Sequence, residues 1–236
     1  DLFSTNFASD MNTLHLNLGD GFFDDRTAQF GLALVSRPYL GWGTGLYDFD
    51  ADGDEDLFVA NGHVYPEAGE RELDAGYAQL PLLFERRGGR FELRDGVGEV
   101  FERPHAARSV AFGDIDGDGD VDIVMTTLNG PVHVLRNDSP RADLAVIELR
   151  GPRGNPRGLG AKVELRTGER WQRRWIDGGS YQSVDAPAAY FGLGEPPPGV
   201  GVEVRVTWPA GRTVRYAEVP GNRTLVLVRG TVRGGA

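Results

Sequence analysis

The chain has 236 residues, a formal net charge of -10 and no cysteine, which excludes disulfides, thiolate metal sites and cysteine catalysis. Hydrophobic residues make up 40% of it, enough for a real core, while 34 Gly and 14 Pro point to many turns and an all-β protein. No apolar run approaches the roughly 20 residues of a membrane span, and the sequence offers no basic stripe for nucleic acid.

The first element is Asp1-Leu-Phe-Ser-Thr-Asn6, read as a strand. A hairpin follows, with Leu14-His-Leu-Asn-Leu18 and Phe22-Phe-Asp24 flanking the turn Gly19-Asp20-Gly21. The next landmark is Asp48-Phe-Asp50-Ala-Asp52-Gly-Asp54-Glu-Asp56, with an aspartate at every second position. Such a run cannot be a core strand, because alternate carboxylates would share one face and repel. Asp and Gly are also poor helix formers. It makes sense as a loop round a hard cation. Calcium takes six to eight oxygen ligands, and acidic positions 1, 3 and 5 with a glycine at 6 supply them from a tight turn. Here these are Asp48, Asp50, Asp52 and Gly53, with a backbone carbonyl at Asp54 and Asp56 at position 9.

Strand sequence follows at once in Asp56-Leu-Phe-Val-Ala-Asn61. A polar insertion, roughly Gly62 to Gln79, leads to a second hairpin, Leu82-Leu-Phe-Glu85 and Arg90-Phe-Glu-Leu93 about Gly88-Gly89. The acidic loop then recurs as Asp114-Ile-Asp116-Gly-Asp118-Gly-Asp120-Val-Asp122, and Asp122-Ile-Val-Met-Thr-Thr127 follows it. An EF-hand fits poorly, because position 12 is Val59 or Met125 where that loop has Glu. The two loops hold five aspartates each, as many carboxylates as the net charge has units, so the acidity is local.

Aligning the strands after each loop reveals an internal repeat. Asp1 stands where Asp56 and Asp122 stand, so it reads as position 9 of a third, partial loop whose first eight positions lie outside the sequence. The expectation is a mid-repeat start, with residues 1–6 a blade strand whose neighbour comes from an upstream portion or from another copy. Each unit reads strand, loop, strand, strand, turn, strand, the pattern of a propeller blade. The third unit reaches Val132-His-Val-Leu135 and breaks at Asn137-Asp-Ser-Pro140.

Beyond Pro140 the texture changes. Leu144–Leu149, Ala161–Leu165, Trp171–Ile176, Val202–Trp208, Val214–Tyr216 and Leu225–Val228 read as short strands of a small β-sandwich, separated by turns such as Gly151–Gly154 and Pro196–Gly199. The expected domains are 1–138, the partial propeller, and 142–231, the sandwich. Asn137–Arg141 is the linker, and Leu144–Leu149 belongs to the sandwich.

These residues carry a family resemblance. The strand-flanked Asp-x-Asp-x-Asp-Gly-x-x-Asp loops resemble FG-GAP/VCBS repeats of integrin-type propellers. Gly158-Leu-Gly-Ala-Lys-Val163, Gly178-Gly-Ser-Tyr-Gln-Ser183, Tyr190-Phe-Gly-Leu-Gly194 and Val206-Thr-Trp-Pro-Ala-Gly211 resemble the ASPIC/UnbV domain that ends such repeats in bacterial secreted proteins and in the cartilage acidic protein family. The resemblance implies calcium held by the side chains of Asp48, Asp50, Asp52 and Asp56, and of Asp114, Asp116, Asp118 and Asp122, with Asp54 and Asp120 acting through their carbonyls. It further implies an extracellular, non-enzymatic role in adhesion, structure or interaction. A protein partner or self-association would go with that role. The family carries more repeats than this sequence does. Lys162 is the only lysine, which with arginine elsewhere suggests a GC-rich bacterial source.

Other residues invite chemistry and have plainer readings. His15, His63, His105 and His133 lack ligand spacing, and His15 and His133 take matching third-strand positions, so blade packing is the better account. Ser180 and Ser183 lack the setting of a hydrolase nucleophile. Residues 151–158 are Gly-rich but form no phosphate loop. Asn137-Asp-Ser139 and Asn222-Arg-Thr224 match the glycosylation pattern. Trp42, Trp171, Trp175 and Trp208 read as core residues. A rival carbohydrate-binding module, with a glycan as partner, would instead expose Trp42 or Trp171 beside an Arg or Asp. A rival enzyme would need a convergent acid/base group in a pocket, and none can be assembled from the sequence.

Overall fold

The computed structural model describes residues 1–68, 75–139, 143–194, 202–219, 223–228 and 231–234. Among these residues the protein is all-β, with one short 3-10 turn at Glu99–Glu102 and no α-helix. No helix is long and apolar enough to cross a membrane.

Three small antiparallel sheets come first. β1 (Leu2–Ser4), β2 (Thr13–Gly19) and β3 (Phe22–Asp25) form the first. β4 (Gly41–Tyr47), β5 (Asp56–Asn61), β6 (Leu82–Arg87) and β7 (Arg90–Leu93) form a four-stranded second sheet in sequence order. β8 (Ala107–Gly113), β9 (Asp122–Thr127) and β10 (His133–Leu135) form the third. Each acidic loop joins two antiparallel strands, β4 to β5 and β8 to β9.

β5 shows why these sheets stand side by side. All six of its residues are buried. Side chains alternate across a strand, so Leu57 and Val59 enter one core with Leu14, Leu32 and Phe91. Phe58 and Ala60 enter another with Val110, Phe112 and Met125. One strand thus packs against a sheet on either side, the relation between neighbouring propeller blades.

The remaining strands form a two-sheet sandwich: β11 (Asp143–Arg150), β12 (Lys162–Thr167), β13 (Arg170–Trp175), β14 (Ala188–Gly194), β15 (Val202–Thr207), β16 (Thr213–Val219), β17 (Arg223–Val228) and β18 (Thr231–Gly234). One sheet runs β14-β11-β17-β18 and the other β13-β12-β15-β16. β11 pairs antiparallel with β14 and parallel with β17. Alternate residues of β11, β12, β14 and β15 fill the space between, including Ile147, Val163, Leu165, Phe191, Val204 and Val206, and Trp208 closes it at 4% exposure. Val146 and Tyr190, on the opposite face of β11 and β14, pack with Phe49, Phe58 and Phe112 of the blades.

Two expectations are corrected. Trp171 and Trp175 are not core residues; they are 43% and 59% exposed. β13 alternates, and it is Gln172 and Arg174 that turn toward β14, donating to the carbonyls of Gly192 and Tyr190. Nor do His15 and His133 occupy matching positions. His15 stands opposite Leu2 and corresponds to Leu135 opposite Ile123, two residues along from His133. Pro140, Arg141, the turn Pro196–Gly199 and Asn222 lie outside the described residues.

Candidate metal centres

Both loops are held by the same scaffold of backbone-to-carboxylate hydrogen bonds. The position 1 aspartate reaches across the turn to the position 6 glycine: Gly53 donates to Asp48 Oδ2 at 2.8 Å and Gly119 to Asp114 Oδ2 at 3.0 Å. Those glycines have φ of 95° and 100°, which a side chain would strain. Position 3 caps position 5, with Asp52 donating to Asp50 and Asp118 donating to Asp116 through their backbone N–H groups. Position 9 closes the loop on position 2: Phe49 donates to Asp56 Oδ2 at 3.0 Å and Ile115 to Asp122 Oδ2 at 2.8 Å.

The other oxygen of each position 9 aspartate ties down the neighbouring strand. Arg86 N–H donates to Asp56 Oδ1 and Asn137 N–H to Asp122 Oδ1, each at 2.8 Å. Asp1 makes the same bond, accepting the N–H of Asn17 at 2.9 Å.

The loops therefore bring carboxylates together. Ligand atoms of Asp48, Asp50 and Asp56 lie within 4.8 Å of one another, as do those of Asp114, Asp116 and Asp118. These are positions 1, 3 and 9 in the first loop and 1, 3 and 5 in the second. Asp52 stands outside the first cluster, its carboxylate accepting the N–H of Asp54 at 2.7 Å. Asp122 stands outside the second, with both oxygens bonded to backbone. Asp54 is turned to the sandwich, where it pairs with Arg170 at 2.8 Å. Asp120 has one buried oxygen, Oδ1, without a hydrogen-bond partner.

Electrostatics mark the sites as strained without a cation. Burial pushes Asp48 up to about 7, more than nearby Arg174 offsets. Burial likewise pushes Asp56 up to about 7. Asp50 rises through burial and then the charge of Asp52. In the second loop burial, followed by Asp118, raises both Asp116 and Asp120, the latter to about 7. A hard cation fits this set. Every donor is a carboxylate oxygen, and Asp48 is 4% exposed with its Oδ1 lacking any hydrogen-bond partner. A buried, unpaired carboxylate oxygen is costly unless something positive meets it.

The first loop is also held from outside, by residues that its own motif does not reveal. Gly192 of β14 donates its N–H to Asp48 Oδ2 at 3.0 Å, and Gly194 donates to the carbonyl of Ala51. Arg170 donates to the Asp52 carbonyl at 2.9 Å, and Arg174 pairs with Glu55 at 3.3 Å. A Cβ on Gly192 would lie 2.2 Å from Asp48 Oδ2. The only signal for these partners was the stretch Tyr190-Phe-Gly-Leu-Gly194.

Ser180 Oγ accepts the N–H of Thr44 at 2.9 Å. Asn137 Nδ2 donates to the Phe49 carbonyl. His105 and His133, apart in sequence, meet with ring centroids 4.4 Å apart. Among the described residues, however, the two aspartate clusters are the groups of three or more that could hold a metal. Trp42 is half-buried under Tyr181 and Arg108.

Comparison with protein families finds an FG-GAP repeat at residues 106–135 and an ASPIC and UnbV domain at residues 151–233. The first match holds β8, the second acidic loop, β9 and β10; the second holds β12 through β17 and most of β18. No curated protein matches the chain.

Proposed function

We propose that the two aspartate loops each bind one calcium ion and that the protein is a secreted, calcium-stabilised interaction module without catalytic activity. An FG-GAP repeat followed by an ASPIC/UnbV domain suggests an extracellular interaction or adhesion-type protein. The observation that carries the calcium reading is Asp48. Its buried Oδ1 has no donor and lies in a cluster with Asp50 and Asp56. Side chains of Asp48, Asp50 and Asp56 would ligate the first ion, with Asp52 and the Asp54 carbonyl completing the set. Asp114, Asp116 and Asp118 would ligate the second, with Asp122 and the carbonyl of Asp120.

The ion neutralises crowded carboxylates and fixes the loop between two strands. The protein would then engage its partner, or another copy of itself, through the rigid blades and sandwich. Isothermal titration of metal-stripped protein should give two calcium ions per chain, Asp116→Ala should leave one, and magnesium should bind more weakly. A protein that takes up no calcium would refute the reading.

A further inference from the structure

The outer face of the β13-β12-β15-β16 sheet departs from the charge of the whole chain. Register places Trp175 opposite Lys162, Arg173 opposite Glu164 and Trp171 opposite Arg166. On the next strands Glu164 faces Arg205, Arg166 faces Glu203, and Arg205 faces Arg215. These side chains share one face, because strand residues two apart point the same way.

Five cations thus surround two carboxylates. Lys162 and Arg173 both lie on Glu164, at 3.2 and 3.1 Å. Arg166, Arg205 and Arg215 all lie on Glu203, at 2.7, 3.8 and 2.6 Å. The face carries an excess of positive charge on a chain whose net charge is -10. Arg173 and Arg215 keep 62% and 65% of their side chains exposed, so the excess is open to solvent.

The aromatic rings are set in the same face. Trp171 lies over Arg166 and Arg205, whose guanidinium carbons are 5.4 and 4.7 Å from its ring centroid. These contacts fix the ring and still leave the residue 43% exposed. Trp175, 59% exposed, stands four residues along the same strand, roughly 13 Å away at ~3.3 Å per residue. Arg173 lies between them. β13 is an edge strand, and a cleft of about 960 Å³ opens beside it.

We propose that this face binds an acidic polysaccharide, one whose sugar rings carry carboxylate or sulfate groups. The alternation of ring, cation and ring along β13 suits a polymer that alternates apolar ring faces with anionic groups. A pyranose presents C–H bonds to the negative face of an indole, and the guanidinium of Arg173 forms paired hydrogen bonds to a carboxylate or sulfate between them. The side chains that hold the polymer, Trp171, Arg173 and Trp175, are not loop residues, although the cleft beside β13 also borders Gly53, Asp54 and Glu55 of the first loop.

The test is a titration of the full chain with short oligogalacturonates, the carboxylate arm, and with dextran sulfate, the sulfate arm. Neutral dextran, poly-dT and polyglutamate serve as competitors of other chemistry. At least one acidic polysaccharide should bind ten-fold or more tightly than neutral dextran, and chelator should leave that affinity within two-fold. Trp175→Ala and Arg173→Gln should each weaken it at least five-fold. Both side chains are exposed, and circular dichroism checks that each variant is folded. The proposal is overturned if neither acidic polysaccharide binds or if both variants bind like the parent. Loss of binding in chelator, or tighter binding of poly-dT or polyglutamate, would overturn it equally.

Discussion

Gly192 donates its backbone N–H to the carboxylate of Asp48 across 144 residues of sequence. The bond ties the first acidic loop to the strand β14 of the sandwich, and there is no room for anything larger than glycine. An added Cβ would lie 2.2 Å from Asp48 Oδ2 and 2.4 Å from the Ala51 carbonyl carbon. Gly192→Ala should therefore cost at least about 1–3 kcal/mol, the usual price of overpacking. Gly178→Ala is the control, since its added Cβ meets nothing within 4 Å, and it should stay within ~0.5 kcal/mol. Urea denaturation midpoints of the two variants give the comparison.

Metal removal should reveal the buried charge. Without a cation, burial pushes the carboxyls of Asp48 and Asp56 up to about 7, from an ordinary 3.8. The folded state therefore holds more protons than the unfolded state between those limits. Stability rises with pH only where the unfolded state binds more protons. Here the sign is reversed for these groups, and their contribution falls as pH climbs from about 4 to about 7. Melting temperatures in chelator should drop across that window. Saturating calcium should flatten the slope, because the cation replaces the proton.

Positions 3 and 9 of the loop should separate cation binding from architecture. Asp50 bonds only the N–H of Asp52 within its own loop. Asp50→Ala should change stability little in chelator and remove the gain from calcium, ~2.7 kcal/mol at a hundredfold excess over Kd. Asp56 accepts from Phe49 and Arg86 and is buried. Asp56→Ala leaves both donors unmet, at about 1–3 kcal/mol each, so it should destabilise even in chelator. Thermal melts with and without calcium distinguish the two patterns.

Phe58 is fully buried between the second and third sheets, with Phe112 and Phe101 rings against it. Phe58→Ala should cost about 3–5 kcal/mol. Hydrogen exchange should then quicken in β5, β8 and β9 together, because the cavity opens on the face where these strands meet.

Much of this architecture was legible in the sequence. The loops announced themselves by an aspartate every second residue with a glycine at position 6, and the hairpins by Gly-rich turns between alternating strands. The strands before the loops were harder to locate. Gly41-Trp-Gly-Thr-Gly45 has the composition of a turn yet forms part of β4; position 45 is glycine because a side chain there would collide with the Phe112 ring at 2.4 Å. β13 was found, but alternation shows that a strand has two faces and not which one is inside. Hydrophobicity alone assigns Trp171 and Trp175 to the core, whereas Gln172 and Arg174 take the inward positions. At the first loop the chain's own carboxylates could be read directly. Gly192, Arg170 and Arg174 could not, because only the docking of the sandwich brings them there.

The aspartates at position 9 bear on how such a chain can be copied. In each repeat this one residue satisfies backbone donors that belong to its own repeat: Asn17 for Asp1, Phe49 and Arg86 for Asp56, Ile115 and Asn137 for Asp122. A segment duplicated by recombination would carry those bonds with it and fold its loop wherever it landed. Position 1 is different. The Asp114 carboxylate finds Gly117 and Gly119 inside the copied segment, but the Asp114 backbone N–H donates to Tyr190 Oη of the sandwich, and Asp48 shares its Oδ2 with Gly192. The closing aspartate is therefore portable and the opening one is not. Both complete repeats are addressed to one place in the chain, beside the sandwich that meets them.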